Sequence, residues 1–431
     1  MDDPHADPQA IPEGTRDTLL GLFKNRAYGF YVGNRVTGMV GQSVQTAAVM
    51  WQVYDITGAA LPLAFLGLAR FVPSIAISFL AGAVADTRDR RMVLGLAQLA
   101  PLATSALLWV LTTTSTVNLT LVYLSMGLLG IAGAFEGPAR ASLLPQVVPR
   151  ASFQRAVAVA TTVQQLALVF GPATSGLLIA RFGVAPTYLC HVILVLISLA
   201  CLALIKVRPD TNPKAELSLA LIKEGITFIR AHRAVLGAMA LDMVAVIFAG
   251  ADALLPIYAR DILGVGAFGY GMLASAKAVG ALVTATALAL APPVVGSGRT
   301  LVLMVAFYGI FTAGFGLSTW FPLSLVLYAL TAAVDQVSVV MRQSIIQLGT
   351  PDALRGRVSS VNSLFVGASN QLGPVESGLV ATWTGSAVIA CVSGGLGCLL
   401  AMMVVLPLVR VLWSHRLEMQ APELMAKGAA R

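Results

Sequence analysis

The feature that most constrains this chain is a series of twelve apolar segments, each about as long as a bilayer crossing. A membrane-spanning helix needs about 20 mostly apolar residues. The segments do not alternate every second residue as barrel strands do, and their Gly and Pro residues are tolerated in membrane helices. They lie near 27–52, 62–85, 92–112, 117–138, 157–180, 186–206, 235–257, 268–290, 301–318, 322–344, 359–381 and 387–411. The sequence therefore predicts an all-α polytopic membrane protein with twelve transmembrane helices.

Composition excludes the other broad classes. Hydrophobic types make up 57% of the chain and charged types 11%, whereas a soluble domain carries about 25% charged residues. The four cysteines all fall inside predicted spans and form no CxxC pair, so we expect neither a disulfide framework nor a metal site. There is no P-loop, HExxH or nucleophile-elbow motif. We expect neither an enzyme nor a bound cofactor.

The positive net charge of +8 is explained by where the basic residues lie. Of 28 Lys and Arg residues, 23 fall in the tails, the central linker and alternate loops, which all share one predicted side. The opposite side carries only Arg181 and Arg260. The positive-inside rule places both termini in the cytoplasm. This distribution indicates topology, with some attraction to lipid headgroups, and nucleic-acid binding is not expected.

The two halves of the chain repeat each other. Eight residues recur at a constant offset of 202 over 44 positions, and Asp55, Ile56 and Gly58 recur at an offset of 206. The eight are Arg140, Pro149, Arg155, Gly171, Pro172, Ser175, Gly176 and Gly183. We therefore predict two six-helix bundles in the same orientation, joined by a linker that contains an amphipathic helix. The predicted divisions are a tail at 1–25, a bundle at 26–206, the linker at 207–234, a bundle at 235–411 and a tail at 412–431.

A ten-residue loop follows the second predicted span, Gly82-Ala-Val-Ala-Asp86-Thr-Arg88-Asp89-Arg90-Arg91. It resembles the signature loop of the major facilitator superfamily, whose plan is two parallel six-helix repeats. Thr87 and Asp89 depart from the usual pattern. The resemblance implies a latch that stabilises one access state, formed by Gly82, Asp86, Arg90 and Arg91. The alternative is an ordinary positive-inside loop.

A second motif occurs twice. Gly171-Pro172-Ala173-Thr174-Ser175-Gly176 and Gly373-Pro374-Val375-Glu376-Ser377-Gly378 resemble the G-P-x-x-G-G core of the antiporter motif, with Ser replacing one Gly. Pro bends a helix and Gly permits close helix contact. The resemblance implies helix bends at Gly171, Pro172, Gly176, Gly373, Pro374 and Gly378. The alternative is ordinary packing of small residues.

The loop at 342–361 resembles one that marks exporters related to macrolide-efflux and enterobactin-exporter proteins, as does the segment Tyr54-Asp55-Ile56-Thr57-Gly58. The likeness covers roughly 25–410. It implies that predicted helices 1, 4, 7 and 10 line a central cavity with alternating access.

Eight charged residues lie inside the predicted spans, and each needs a reason because a charge at mid-bilayer costs about 2.5–3.5 kcal/mol. They are Arg35, Arg70, Glu136, Asp242, Asp252, Lys277, Asp335 and Glu376. Arg35, Gln42 and Gln45 could form a polar strip of the substrate cavity, or Arg35 could pair with a carboxylate across the bundle. Asp242 and Asp252 are ten residues apart, so on one continuous helix they point about 80° apart.

Four carboxylates are candidates for proton coupling, since a carboxylate in a semi-dry cavity can load and release a proton. They are Asp252, Asp335, Asp242 and Glu136. Asp252 could instead pair with Arg35 or Lys277, and Glu136 has Arg140 at i,i+4. Gate or structural roles are expected for Glu376, Arg70, Lys277, Arg140 and Arg342.

The function expected from these features is proton-coupled export of an amphipathic small molecule such as a drug, macrolide or siderophore. A lipid or lysophospholipid flippase is the alternative, and a non-transporting membrane sensor is a remote one. The expected partners are a small-molecule substrate, protons and the lipid bilayer. We expect a monomer in the bacterial inner membrane.

Overall fold

The structure is a computed structural model that describes residues 22–23, 25–149, 152–205, 219–291, 297–404 and 413. These residues are almost entirely helical and contain no β-strand. The long helices, with one short helix between the halves, are α1 (Arg26–Thr57), α2 (Ala60–Thr87), α3 (Arg90–Thr113), α4 (Leu119–Val147), α5 (Phe153–Phe182), α6 (Val184–Leu204), α7 (Leu219–Ala231), α8 (Arg233–Ala249), α9 (Gly266–Leu290), α10 (Ser297–Leu317), α11 (Phe321–Gly349), α12 (Arg355–Thr384) and α13 (Ala387–Val404). The predicted all-α membrane fold is confirmed.

Ten helices are long and apolar enough to cross a membrane, by length and composition. The other two predicted spans correspond to α1 and α12, which are long helices but more polar. Polar side chains such as Gln42 and Gln45 on α1 and Asn370 and Gln371 on α12 account for this. Ten of the twelve predicted spans are therefore supported by length and apolarity and the other two by helix length alone, so the exact count of twelve stays a prediction.

The seventh predicted span, at 235–257, is not one continuous helix. Helix α8 ends at Ala249 and is followed by a 3-10 turn (Asp252–Leu254), a short helical segment (Leu255–Ile257) and a π-turn (Tyr258–Ile262). Pro256 lacks an N–H group and cannot donate to the carbonyl of Asp252, which favours the break. The predicted angle of 80° between Asp242 and Asp252 assumed an unbroken helix, so that estimate does not apply to the broken segment.

The helices group into two compact units. The first contains residues up to Gln52 and Ala69–Ala215, and the second contains Val53–Leu68 and residues from Glu216 onward. The hairpin Val53–Leu68, predicted as part of the first bundle, thus groups with the second unit. Within that unit, Arg260 forms an ion pair with Asp55 at 2.7 Å, and the Tyr54 hydroxyl donates to Asp261. The offset of 206 relates Tyr54 to Arg260 and Asp55 to Asp261, so the two contacts are reciprocal.

In the first unit, three side-chain amides of α1 tie this helix to α3 and α6 at three levels. Asn34 donates to Ser198 at 2.8 Å, Gln45 donates to Ser105 at 2.8 Å, and Gln52 accepts from Tyr188 at 2.6 Å. Buried polar groups need such partners. These three hydrogen bonds fix which face of α1 is turned toward α3 and α6.

The linker helix α7 packs on the second unit. Its Phe228 and Ile229 are buried with Val358 and Val361 of α12. The predicted amphipathic helix is present, and its apolar face contacts protein. Residues 207–218 of the predicted linker lie outside the described residues, as do the predicted tails apart from Leu22, Phe23, Asn25 and Trp413.

Candidate functional site

The second unit contains a cluster of charged and phenolic side chains contributed by three helical segments. Lys277 of α9 donates to both carboxylate oxygens of Asp252, at 2.7 and 2.6 Å. The Tyr328 hydroxyl of α11 also donates to Asp252. The Lys277 ammonium lies 5.8 Å from the centre of the Tyr328 ring, within the range of a cation–π contact. Of the two predicted partners of Asp252, the structure selects Lys277.

Asp335 joins this cluster from the same face of α11. It follows Tyr328 by seven residues, or two helical turns. Asp335 interacts electrostatically with both Lys277 and Asp252. We define these four residues, Asp252, Lys277, Tyr328 and Asp335, as the acidic cluster. With both acids ionised it carries a net charge of −1, so it can take up one proton without losing the Lys277 ion pair.

Local structure brings these groups together. Helix α8 ends before Asp252, and Asp252 begins a 3-10 turn. The Asp252 side chain therefore points in a different direction from the one that a continued α-helix would give it. On α9, a Cβ atom at Gly280 would overlap the carbonyl of Ala329. Helix α9 therefore packs directly on the backbone of α11, one turn from Lys277 and next to Tyr328. The Asp252 side chain retains 46% of its surface exposure and Lys277 retains 32%, so the pair stays accessible.

Asp242 lies in a different environment. It forms an ion pair with Arg342 of α11, and the two side chains are only 5% and 4% exposed. Buried charges are tolerated when paired, and breaking such a pair is costly. The pair joins α8 to α11, and its burial indicates a structural contribution for both residues. Tyr328 was not predicted from the sequence, because an uncharged phenol does not stand out in a membrane span as a charged residue does.

In the first unit, Glu136 forms an ion pair with Arg140 one turn along α4, the local pair that the sequence allowed. Arg70 of α2 interacts electrostatically with Glu136 across a narrow cavity. Arg140 is buried, while the Glu136 side chain is 22% exposed and lines the cavity. Glu136 therefore lies between two arginines.

The predicted strip of Arg35, Gln42 and Gln45 is not a single polar surface. Arg35 donates through Nε to the Ala160 carbonyl of α5 at 3.0 Å. Gln45 is buried and its amide nitrogen donates to α3. Gln42 is exposed and lines the cavity that contains Arg70. Gln42 and Gln45 line the same cavity, although Gln45 is also bonded to α3, whereas Arg35 is not among the residues that line it. Their role in substrate binding stays a prediction.

The predicted latch loop is held by its basic residues. Asp89 accepts a hydrogen bond from the Arg91 backbone N–H at 2.9 Å and so caps the start of α3. Arg90 donates to the Ser142 carbonyl, and Arg91 to the Ile205 carbonyl. The departure from the superfamily pattern at Asp89 thus supplies a helix cap. A Cβ at Gly82 would meet none of the described neighbours within 4 Å, and the Asp86 side chain lies outside the described residues.

The repeated Gly-Pro motifs mark close contacts in each unit. A Cβ at Gly171 would overlap Ser43 of α1, and a Cβ at Gly373 would overlap the Val246 carbonyl of α8. Both motif prolines, Pro172 and Pro374, lie inside helices. Gly176 is buried in α5, and a Cβ at Gly378 would contact Ala64. Within the second copy of this motif, the buried Oε2 atom of Glu376 has no hydrogen-bond partner among the described residues.

The fold and these charge clusters define a class: a multi-pass membrane transporter of the major facilitator type. The crystal structure of a bacterial homologue of the human lysosomal transporter Spinster matches with a TM-score of 0.62 and 14% identity, covering 90% of this chain and 95% of that one. The POT family transporter PepTSo matches with a TM-score of 0.68 and 12% identity, covering 90% and 98%. These likenesses concern the fold alone.

The family model described as transmembrane secretion effector matches residues 23–427, and the chain belongs to that family. The multidrug efflux pump Tap of Mycolicibacterium fortuitum is 27% identical over 363 residues, which are 81% of this chain and 88% of that protein. The staphyloferrin A transporter of Staphylococcus aureus is 27% identical over 188 residues, 43% and 45% of the two chains. The family and these relatives are transporters and not enzymes, so the predicted transporter class is confirmed.

Proposed function

We propose that this protein exports an amphipathic small molecule in exchange for protons, by alternating access. The observation that carries the proposal is the acidic cluster, in which two carboxylates share one lysine within membrane helices. The family supports export, and relatives named as a multidrug efflux pump and a siderophore transporter suggest the range of substrates. We place the protein in the bacterial inner membrane as a monomer with both termini in the cytoplasm.

The charge balance of the cluster suggests how a proton is used. Asp252 already accepts hydrogen bonds from Lys277 and Tyr328, so Asp335 is the carboxylate left to receive a proton. A net charge of −1 in a low-dielectric span is costly, and one proton removes it. Loss of that proton during the transport cycle would restore the negative charge. The cluster thereby couples the access state of the second unit to proton binding.

The experiment uses everted membrane vesicles and a panel of macrolides, siderophores and fluorescent dyes. The variants Asp252→Asn and Asp335→Asn should each abolish uptake driven by the pH gradient. Asp352→Asn is the matched control, because Asp352 is 87% exposed and pairs only locally with Arg355. Normal gradient-driven uptake by both neutral variants would refute the assigned coupling site.

A lipid flippase is the second candidate, and one observation favours it. An apolar groove lies between α2 and α4 on the first unit, lined by Pro73, Thr120, Tyr123, Gly127 and Leu128 among others. Such a groove could accept an acyl chain. Movement of a fluorescent lysophospholipid between leaflets in proteoliposomes would support this candidate. Dye export with an unchanged lipid distribution would exclude it.

A further inference from the structure

The first unit contains a narrow cavity with about 30 Å³ of space for water-sized groups, bounded by α1, α2, α3, α4 and α6. Its lining is rich in polar side chains, although it lies within a membrane bundle. These are Gln42, Gln45, Arg70, Gln98, Glu136 and His191. A polar cavity inside an apolar bundle requires an explanation, because unpartnered polar groups there are costly.

Arg70 is the charged residue in this cavity whose bonding is incomplete, and the buried Nε2 atom of Gln98 also lacks a partner among the described residues. Its guanidinium has five N–H donors. Among the described residues it donates no hydrogen bond and makes no direct ion pair, and it interacts with Glu136 only at longer range. A Cβ at Gly130 would overlap the Arg70 backbone carbonyl, so α4 packs directly on α2 at this level. The packing fixes the Arg70 backbone while its head group remains unsatisfied.

The acid in the cavity does not neutralise both arginines. Glu136 is the acid that lines it, and its carboxylate already bonds to Arg140. Arg70, Arg140 and Glu136 therefore sum to a net charge of +1. The acidic cluster of the second unit sums to −1, so the two clusters carry opposite excess charges.

The internal repeat shows which groups the first unit lacks. The offset of 206 relates Asp252 to Thr46, and the offset of 202 relates Asp335 to Gly133. Lys277 lies one position from the repeat equivalent of Arg70. Thus both carboxylates that accompany the cation in the second unit are replaced by uncharged residues in the first. Gly133 lines the cavity, and a Cβ there would meet none of the described atoms within 4 Å.

We propose that Arg70 binds the carboxylate of an acidic amphipathic substrate. This carboxylate group enters the space beside Gly133. Arginine binds carboxylates through two parallel hydrogen bonds, and Gln42 on the same cavity wall offers an amide donor. In the first unit, the carboxylate of the bound ligand accompanies Arg70. In the second unit, the carboxylate of Asp335 accompanies Lys277 in the same way. This inference rests on the proposed export function for its biological meaning, but the binding step can be measured alone.

The test uses the purified full-length protein in lipid nanodiscs without a pH gradient. The probes are dansyl-leucine, which has a free carboxylate, and its methyl ester, with binding followed by fluorescence anisotropy. The wild type should bind the acid at least tenfold more tightly than the ester. Arg70→Gln should abolish this preference. Arg181→Gln should retain it, because Arg181 is an exposed arginine in the last turn of α5.

A second variant keeps the test decisive if Arg70→Gln fails to fold. Gly133→Asp places a built-in carboxylate next to Arg70, so the protein should stay folded and lose its preference for the acid. An acid that binds no better than its ester, including the case in which neither binds, overturns the inference. A preference that survives in both Arg70→Gln and Gly133→Asp also overturns it. Because the assay measures equilibrium binding, failure of proton coupling leaves its result unaffected.

Discussion

Lys277 donates to both carboxylate oxygens of Asp252, although the two residues are 25 positions apart and lie on different helical segments. Asp252 reaches this position because α8 ends at Ala249, and Lys277 does so because α9 packs closely on α11. The same carboxylate accepts a hydrogen bond from Tyr328. The pair is therefore a junction between three segments of the second unit, and its surroundings determine several measurable properties.

The hydroxyl of Tyr328 should contribute to coupled transport. Tyr328→Phe keeps the ring beside Lys277 but removes the donor to Asp252. A hydrogen bond to a charged group contributes about 1.5–3 kcal/mol, so we expect a loss of roughly tenfold or more in the initial rate of gradient-driven export. Tyr28→Phe is the control, because the buried Tyr28 hydroxyl has no hydrogen-bond partner in the described part of the chain. Equal rates for both variants would show that Tyr328 has no such contribution.

The ion pair of Asp242 and Arg342 should contribute to stability. Removing one partner of a buried pair leaves an uncompensated charge and costs about 3–5 kcal/mol. Asp242→Asn should therefore lower the free energy of unfolding in detergent by about that amount. Replacing Arg355, whose pair with Asp352 is exposed, should cost at most about 1 kcal/mol. Similar losses for the two replacements would argue against a structural function of the buried pair.

The glycines of the repeated motif should be required for close packing. Gly373→Ala forces a Cβ against the Val246 carbonyl, and Gly171→Ala forces one against Ser43. Overpacking of this kind costs about 1–3 kcal/mol. Gly356→Ala is the control, because a Cβ there meets none of the described atoms within 4 Å. Thermal unfolding should show lower midpoints for the first two variants and an unchanged one for the control; an unchanged midpoint for all three would contradict the packing assigned to the motif.

The reciprocal contacts of the hairpin can be tested by charge exchange. Asp55→Arg places two arginines together, and Arg260→Asp adds an acid beside Asp55 and Asp261. The double variant restores one pair of opposite charge, so export by it should exceed export by either single variant. The pair is about half exposed, and its coupling energy should be about 0.2–1 kcal/mol in a double-mutant cycle. A double variant no better than the singles would show that the two positions are not coupled.

The sequence predicted the helical segments and the scarce charges because both depend on local composition. It also allowed the pairs Glu136–Arg140 and Asp252–Lys277. It could not predict the break after Ala249, since membrane helices commonly continue through Gly and Pro. The direction of Gln45 depends on hydrogen bonds to α3, which lie 60 residues away in the chain. Tyr328 carries no charge at neutral pH, so the high cost of a charge in a membrane span gives no signal at this position.

The central claim, proton coupling through the acidic cluster, is tested most directly in proteoliposomes that contain the purified protein. An imposed pH gradient should drive accumulation of a transported dye by the wild type. Asp252→Asn and Asp335→Asn should show no gradient-driven accumulation, yet should still exchange labelled for unlabelled dye across the membrane. Accumulation at the wild-type level by both variants would contradict the account.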